Sequence, residues 1–280
     1  MEASSPPETP MEKPQYFGID IDSTLFTHNE EAFEKNVNAF AKVRKMGYTP
    51  FLCTGRSRNS GLGVLGTSFA EKTGYQGYPG VYQNGAVVYD EHGNLIYSKP
   101  FSREFVKTLA EHLEAENLKD KCIFYTETAS YSLAGIDEKL MEFTLDRKLP
   151  IPEVTPLDEL IEKEYSIIKY YSFDVSHSGL REGVDYVQKI TRSNWVYTLS
   201  PSGVTKALGV SKLLEHYGLS PNEYGFIGDG DNDTEAMHLS RGSFAVANAK
   251  ELAKKCAKWV LTKTHDEGGF SEAMGLVYGV

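Results

Sequence analysis

Two acids one residue apart, Asp20 and Asp22, follow the apolar run Tyr16-Phe17-Gly18-Ile19. In an extended chain they point to the same side, because side chains there repeat every two residues. Like charges held that close raise each other's pKa. The pair therefore calls for a metal, a shared proton or solvent. A second acidic stretch, Gly228-Asp229-Gly230-Asp231-Asn232-Asp233, follows the apolar run Tyr224 to Ile227. In one parallel sheet, Asp20 and Asp229 would meet at a common edge. A hard cation takes oxygen ligands from such carboxylates, and Mg²⁺ characteristically uses one or two and keeps several waters. Thr54 and Gly55 end a third apolar run, where a hydroxyl and backbone N–H groups favour anions. Lys206, near a helix start, opposes the helix dipole; it becomes sensible if it reaches a phosphate. A carboxylate facing a phosphate is a competent nucleophile for an acyl phosphate. A second one two residues on can protonate the leaving alkoxide and then take a proton from water.

The elements that must position these residues follow a β-α-β rhythm. Tyr16 to Ile19 predicts a buried strand. A helix follows with Phe33, Val37, Phe40, Ala41 and Arg44 along one face, closed at Gly47. Tyr48 to Cys53 predicts the next strand, so the spacing implies a βαβ unit and a parallel sheet. Ligands of such sheets bind at the carboxyl ends of strands, at a switch point. Pro79 to Asp90 holds two strands about a turn at Asn84-Gly85. From about Asp90 to Trp195 the pattern is a self-contained α+β segment. It comprises a helix capped by Ser102, a strand Cys122 to Thr126, a long strand Tyr165 to Phe173, a helix Gly179 to Ile190 and a closing strand Trp195 to Leu199. The β-α rhythm then returns: a helix from Val204 to Gly218, the strand before Asp229, a helix with Met237 and Leu239, and strands at Ser243–Val246 and Trp259–Leu261.

Gly61-Leu62-Gly63-Val64-Leu65-Gly66 spells G-x-G-x-x-G, with Asp90 downstream. A dinucleotide fingerprint must sit in the tight turn between strand and helix. Here several residues separate the strand end at Thr54 from the first glycine, so the stretch reads as a loop or weak helix.

The 280 residues suit one large or two modest domains. A formal net charge of −10, without any basic run, argues against nucleic-acid binding. No apolar run is long enough to span a bilayer. Residues 1–14, rich in Glu, Ser and Pro, read as a disordered tail with no secretory signal. Cys53, Cys122 and Cys256 have no metal-ligand spacing and read as buried thiols of a reducing, cytoplasmic setting.

In order and spacing, several stretches together resemble the haloacid-dehalogenase-like (HAD) hydrolases, specifically their Cof-type sugar-phosphatase branch. They are Asp20 to Leu25, Thr54-Gly55-Arg56, Gln83 to Ala86, Lys206, Gly228 to Asp233 and Ala245 to Ala249. The resemblance implies an α/β fold: a Rossmann-like, doubly wound parallel-sheet core of residues 15–89 and 198–280, with an α/β cap inserted over 90–197. It implies that Asp20 is the nucleophile and a metal ligand. Asp22 would be the general acid/base and bind Mg²⁺ through its backbone carbonyl. Asp229 would complete the protein's metal ligands, supported by Asp233. Thr54, Gly55, Lys206 and Asn232 would hold the phosphoryl group. The one departure is Ser23, where this branch usually has Gly.

The activity so implied is Mg²⁺-dependent hydrolysis of small phosphorylated metabolites, sugar phosphates foremost. Two alternatives stand beside it: a phosphotransferase or mutase of the same superfamily, such as a phosphomannomutase, and a binding protein that kept the fold without turnover. Arg56 either pairs with an acid or touches substrate. Asp231 is assigned no ligand role, because a helix-start position accounts for its charge, and His28 reads as a surface residue.

Overall fold

The computed structural model describes residues 13–191, 194–220 and 223–280. The chain divides into two compact units. The first comprises residues up to Arg56, Gly61–Tyr97 and Thr205–Val280; the second comprises Ser57–Ser60 and Ser98–Val204.

The first unit is built on an eight-stranded sheet. In chain order its strands are β1 (Tyr16–Ile19), β2 (Thr49–Cys53), β3 (Gly80–Tyr82), β4 (Val87–Tyr89) and β5 (Leu95–Ser98). Beyond the second unit come β12 (Tyr224–Gly228), β13 (Gly242–Ala245) and β14 (Trp259–Val260). Their spatial order is β14-β13-β12-β1-β2-β3-β4-β5. The pairings from β14 through to β3 are parallel, whereas β3 and β4 pair antiparallel. The sheet is therefore mixed rather than wholly parallel, because the short Gln83–Gly85 turn can only return the chain against itself. From β1 the chain moves outward through β2 and β3, then comes back to lay β12 on β1's other side. That reversal is a topological switch point, the place where such sheets bind ligands.

Helices cover the sheet: α1 (Glu30–Lys45), α2 (Arg58–Leu65), α3 (Thr67–Thr73), α7 (Lys206–His216), α8 (Thr234–Leu239), α9 (Glu251–Cys256) and α10 (Gly269–Tyr278). The helix predicted after β1 starts where Asn29 accepts the Ala32 N–H, and it ends at Gly47 with φ +88°. Its apolar face meets an aromatic cluster in which Phe40 packs on Phe69, Tyr75 and Phe270. One buried polar residue interrupts that face. Asn36 donates to the Leu25 carbonyl and accepts the Ser271 N–H, tying the loop after β1 to α10. Both groups thus find the partners that burial demands. Gly61 and Gly63 lie inside α2, not in a strand-to-helix turn. Asp90 closes its own 90–94 turn by accepting from His92 and Asn94.

The second unit carries a six-stranded sheet. Its strands are β6 (Cys122–Tyr125), β7 (Ser130–Ser132), β8 (Glu153–Val154), β9 (Ile167–Tyr170), β10 (Tyr186–Ile190) and β11 (Tyr197–Pro201), in the order β10-β11-β9-β6-β7-β8. Helix α4 (Arg103–Ala115), capped by Ser102, packs Phe105, Leu109 and Leu113 on the face that holds Cys122, Phe124, Ile168 and Tyr170. Helix α5 (Glu138–Asp146) packs Leu140 and Phe143 on the opposite face, with Ile123, Tyr125 and Ile167. The short α6 (Leu157–Leu160) buries Leu160 in the first cluster.

Several expectations change here. The helix predicted over Gly179–Ile190 is absent. Turns and strand β10 take its place, because Tyr186–Ile190 finds β11 as an antiparallel partner. The long strand Tyr165–Phe173 shortens to Ile167–Tyr170. The first unit reaches Tyr97 rather than residue 89, because β5 belongs to its sheet. The second runs to Val204, because β11 pairs with β9 and β10. Of the tail expected over 1–14, residues 1–12 lie outside the described residues. Pro14 is buried, and its carbonyl accepts the Tyr278 hydroxyl at 2.8 Å.

Candidate active site

The register of the first sheet decides which side chains meet. Ile19 lies level with Ile227 of β12 and with Leu52 of β2. Asp20 therefore sits one step past the end of β1, and Asp229 and Thr54 follow the ends of the two strands that flank it. The Asp20 N–H still bonds the Ile227 carbonyl at 3.0 Å. The next residues turn away. Ser23 has φ +59°, a conformation that costs a non-glycine residue about 1–2 kcal/mol. That geometry gives a physical reason for the glycine of the resembling branch.

Lys206 lies at the centre of the site. Its Nζ donates to Asp20 Oδ1 and to Asp233 Oδ1, each at 2.6 Å, and it is only 1% exposed. It is the first residue of α7, whose N-cap Thr205 accepts the Leu208 N–H. A positive charge there opposes the helix dipole. Two buried carboxylates supply the compensation, where the sequence suggested a phosphate. Burial alone would lower the Lys206 pKa; Asp20 and Asp233 outweigh it and hold the ammonium above its usual range. Burial pushes Asp20 up to about 7; Lys206 opposes the rise, while Asp233 and Asp22 add to it.

Asp233 is fully buried and committed on both oxygens. Oδ1 takes Lys206, and Oδ2 accepts the N–H groups of Asp229 and Gly230 at 3.0 and 2.8 Å. It is thus a brace that shapes the loop carrying Asp229. The brace needs Gly228, because a Cβ there would strike the Asp233 carboxyl carbon. The Thr24 hydroxyl reaches Asp229 Oδ1 at 3.5 Å.

A second close approach sets the position of Lys206. Gly209 in α7 faces Gly85 in the turn after β3, and a Cβ on Gly209 would lie 2.7 Å from the Gly85 Cα. Gly85 has φ +98°, and a Cβ on it would strike the Thr205 carbonyl. Alanine at position 85 is expected to displace the first turn of α7, lower stability by about 1–3 kcal/mol and impair whatever Lys206 does. Thermal unfolding of Gly85→Ala checks this, with Gly63→Ala as control. Gly63 meets nothing within 4 Å and lies in α2. Alanine there should be neutral or stabilising by up to about 1 kcal/mol.

Oxygen ligands of Asp20, Asp229 and Asp233 all lie within 4.8 Å of one another, and all three residues are buried. Lys206 bonds two of the three carboxylates, and the donors are all oxygen. This set fits a hard divalent cation, with Asp20 and Asp229 as its direct carboxylates. The Asp22 carboxylate is not in the group. It receives Arg56 Nε and Nη2, each at 2.7 Å. Asp22 would thus reach a metal only through its backbone carbonyl.

Of the residues expected to hold phosphate, Thr54 is buried, and its hydroxyl accepts the Arg56 N–H at 3.2 Å. As acceptor there, the hydroxyl keeps its own proton to donate. Gly55 follows it directly, with the Asn84 side-chain oxygen 3.0 Å from where a Cβ would stand. Asn232 Nδ2 donates to that same Asn84 oxygen at 3.0 Å. From sequence, Asn84 reads as a turn residue with no part in the site. Its backbone, at φ +57°, is the local signal, since asparagine tolerates the left-handed region. Cys53, beneath the site, is fully buried, and burial pushes its thiol far above the usual range.

The pKa of Asp20 gives a pH prediction. Its folded value, about 7, lies above the ordinary 3.8, so between those values the native state binds more protons than the unfolded chain. The metal-free protein therefore loses this contribution to stability as pH rises through that window. A divalent cation competes with the proton, so Mg²⁺ should raise Tm more at pH 8 than at pH 6. Equal increments, measured by calorimetry at both pH values, would contradict the placement of the cation beside Asp20.

Comparisons with known proteins bear on the family and the fold. A family profile described as haloacid dehalogenase-like hydrolase matches residues 17–274. A phosphoglycolate phosphatase of Archaeoglobus fulgidus is 26% identical over 268 residues, covering 94% of this chain and 97% of that protein. A chloroplastic protein of Arabidopsis thaliana named endoribonuclease YBEY is 25% identical over 92% of this chain. The chain spans 46% of that protein's length, and the ribonuclease name is that protein's own. Among solved structures, one described as a HAD/COF-like hydrolase from Plasmodium vivax superposes with a TM-score of 0.80 at 25% identity, covering 95% of this chain and 96% of that one. The HAD subclass IIB sugar phosphatase BT4131 shares the fold, with a TM-score of 0.76 at 22% identity over 94% of this chain and 99% of its own. Among the described residues no helix is long and apolar enough to cross a membrane. With its family profile matched almost end to end and three buried carboxylates gathered at the switch point of the sheet, the chain belongs to the haloacid dehalogenase-like hydrolases.

Proposed function

We propose that this enzyme is a Mg²⁺-dependent phosphatase that hydrolyses small phosphorylated metabolites, sugar phosphates foremost, through a phosphoryl group carried on Asp20. The observation that carries the reading is Lys206 held between Asp20 and Asp233, with Asp229 alongside. The phosphatase names of relatives and the sugar-phosphatase neighbour support the substrate class.

In this reading Asp20 and Asp229, with the Asp22 backbone carbonyl, would hold Mg²⁺, which would offset phosphate charge. Lys206 opposes the protonation that burial favours at Asp20, and the ionised carboxylate attacks phosphorus through one oxygen. The bond from phosphorus to the ester oxygen breaks as Asp22 gives that oxygen its proton. Thr54, the Gly55 N–H, Lys206 and Asn232 hold the phosphoryl oxygens as charge spreads over them. Water then attacks the phosphorus of the acyl phosphate, Asp22 takes the water's proton, and Asp20 is restored as inorganic phosphate leaves. A reducing, cytoplasmic setting fits the buried thiols of Cys53 and Cys122.

The test is phosphate release from a panel of phosphomonoesters, with Mg²⁺ and with EDTA. Phosphate should appear with Mg²⁺ alone and need no acceptor sugar. Turnover only in the presence of an acceptor sugar would favour the mutase, and no turnover on any ester would favour the silent binding protein.

A further inference from the structure

We propose that Arg56 is the positioning residue for Asp22, fixing its carboxylate for proton transfer to the leaving group; this rests on reading Asp22 as the proton donor. The contact is a two-point fork, Nε to Oδ2 and Nη2 to Oδ1, each at 2.7 Å. A fork fixes the plane of a carboxyl group as well as its distance, which a single ammonium cannot do, and it uses one of the two lone pairs on each oxygen, so the group can carry the transferred proton on another while it is held. The Arg56 side chain is 9% exposed, whereas that of Asp22 is 39% exposed. Without a partner, a short acid at the open end of a loop would sample several rotamers. Arg56 is itself anchored. Its N–H donates to the Thr54 hydroxyl at 3.2 Å, and its carbonyl accepts the Gln83 N–H at 3.0 Å. The loop that carries the phosphate-holding residues Thr54 and Gly55 thus also sets the aim of Asp22, across the pairing of β1 with β2.

The leaving group provides a readout that a merely structural role would not move. An alkoxide needs a proton from Asp22, whereas 2,4-dinitrophenolate leaves without one. Their kcat/KM values report the step that transfers phosphoryl to the enzyme and exclude the later attack of water. Arg56→Ala is expected to lower kcat/KM for glycerol 2-phosphate about 10²-fold more than for 2,4-dinitrophenyl phosphate. Arg56→Lys should show the same bias in weaker form, and it carries the test if the alanine variant does not fold. In an Asp22→Asn background, Arg56→Ala should add no further bias. Equal losses on the two esters, or none, would overturn the proposal and leave Arg56 as a substrate contact or a surface ion pair. Asp22→Asn alone separates the two readings: if it shows no leaving-group bias, the role given to Asp22 fails, whatever Arg56 does.

Discussion

Replacing Lys206 by methionine is expected to destabilise the metal-free protein by about 3–5 kcal/mol, the cost of leaving a buried charge without its partner. The side chain is 1% exposed and bonds two carboxylates, so neither loses its cation to a site where water can replace it. Methionine keeps the length and apolar stem, so the loss isolates the charge. Mg²⁺ should restore part of the stability, because a divalent ion beside Asp20 and Asp229 returns positive charge to the cluster. Activity should fall about 10²–10³-fold with Mg²⁺ saturating, the usual loss when a single electrostatic stabiliser of the transferring group is removed. Chemical denaturation with and without Mg²⁺ checks the first effect, and steady-state kinetics the second. A variant as stable as the parent in EDTA would mean that Lys206 does not neutralise these acids.

The second large effect concerns Asp20. Asp20→Asn keeps the shape of the side chain and removes its charge and nucleophilicity. Turnover of an aryl phosphate should fall on the order of 10⁴-fold or more, as when a covalent nucleophile is removed. The fold should survive, because the amide oxygen can still accept from Lys206, and burying an amide is less costly than burying a carboxylate. Circular dichroism and thermal unfolding establish the fold, and release of inorganic phosphate establishes the loss. Undiminished activity in a folded variant would remove Asp20 from the chemistry.

Much of the core was legible because its strands are short, apolar and end in chemistry. Tyr16–Ile19, Thr49–Cys53 and Tyr224–Gly228 form β1, β2 and β12, and their register sets Asp20, Thr54 and Asp229 at one edge. Caps were legible too, as at Ser102, whose side chain accepts the Phe105 N–H. Contacts between groups far apart in sequence were not. Arg56 with Asp22, Asn84 with Asn232, and Gly85 against Gly209 are pairings that spacing alone does not reveal. Lys206 was expected to reach a phosphate; in this structure its partners are Asp20 and Asp233. In the second unit, Gly179–Ile190 was misread because β10 is stabilised by pairing with β11, and tertiary pairing overrides local pattern. Gly179 at φ +86° and Gly183 at φ +81° mark where a helix could not have continued.

The central claim is that Asp20 carries the phosphoryl group during turnover. Rapid mixing with substrate and Mg²⁺, an acid quench and peptide mass spectrometry test it most directly. The account predicts a phosphoryl group on the peptide containing Asp20, absent in EDTA and absent in Asp20→Asn. A phosphoryl group on another residue, or Mg²⁺-dependent phosphate release that persists in Asp20→Asn, would contradict it.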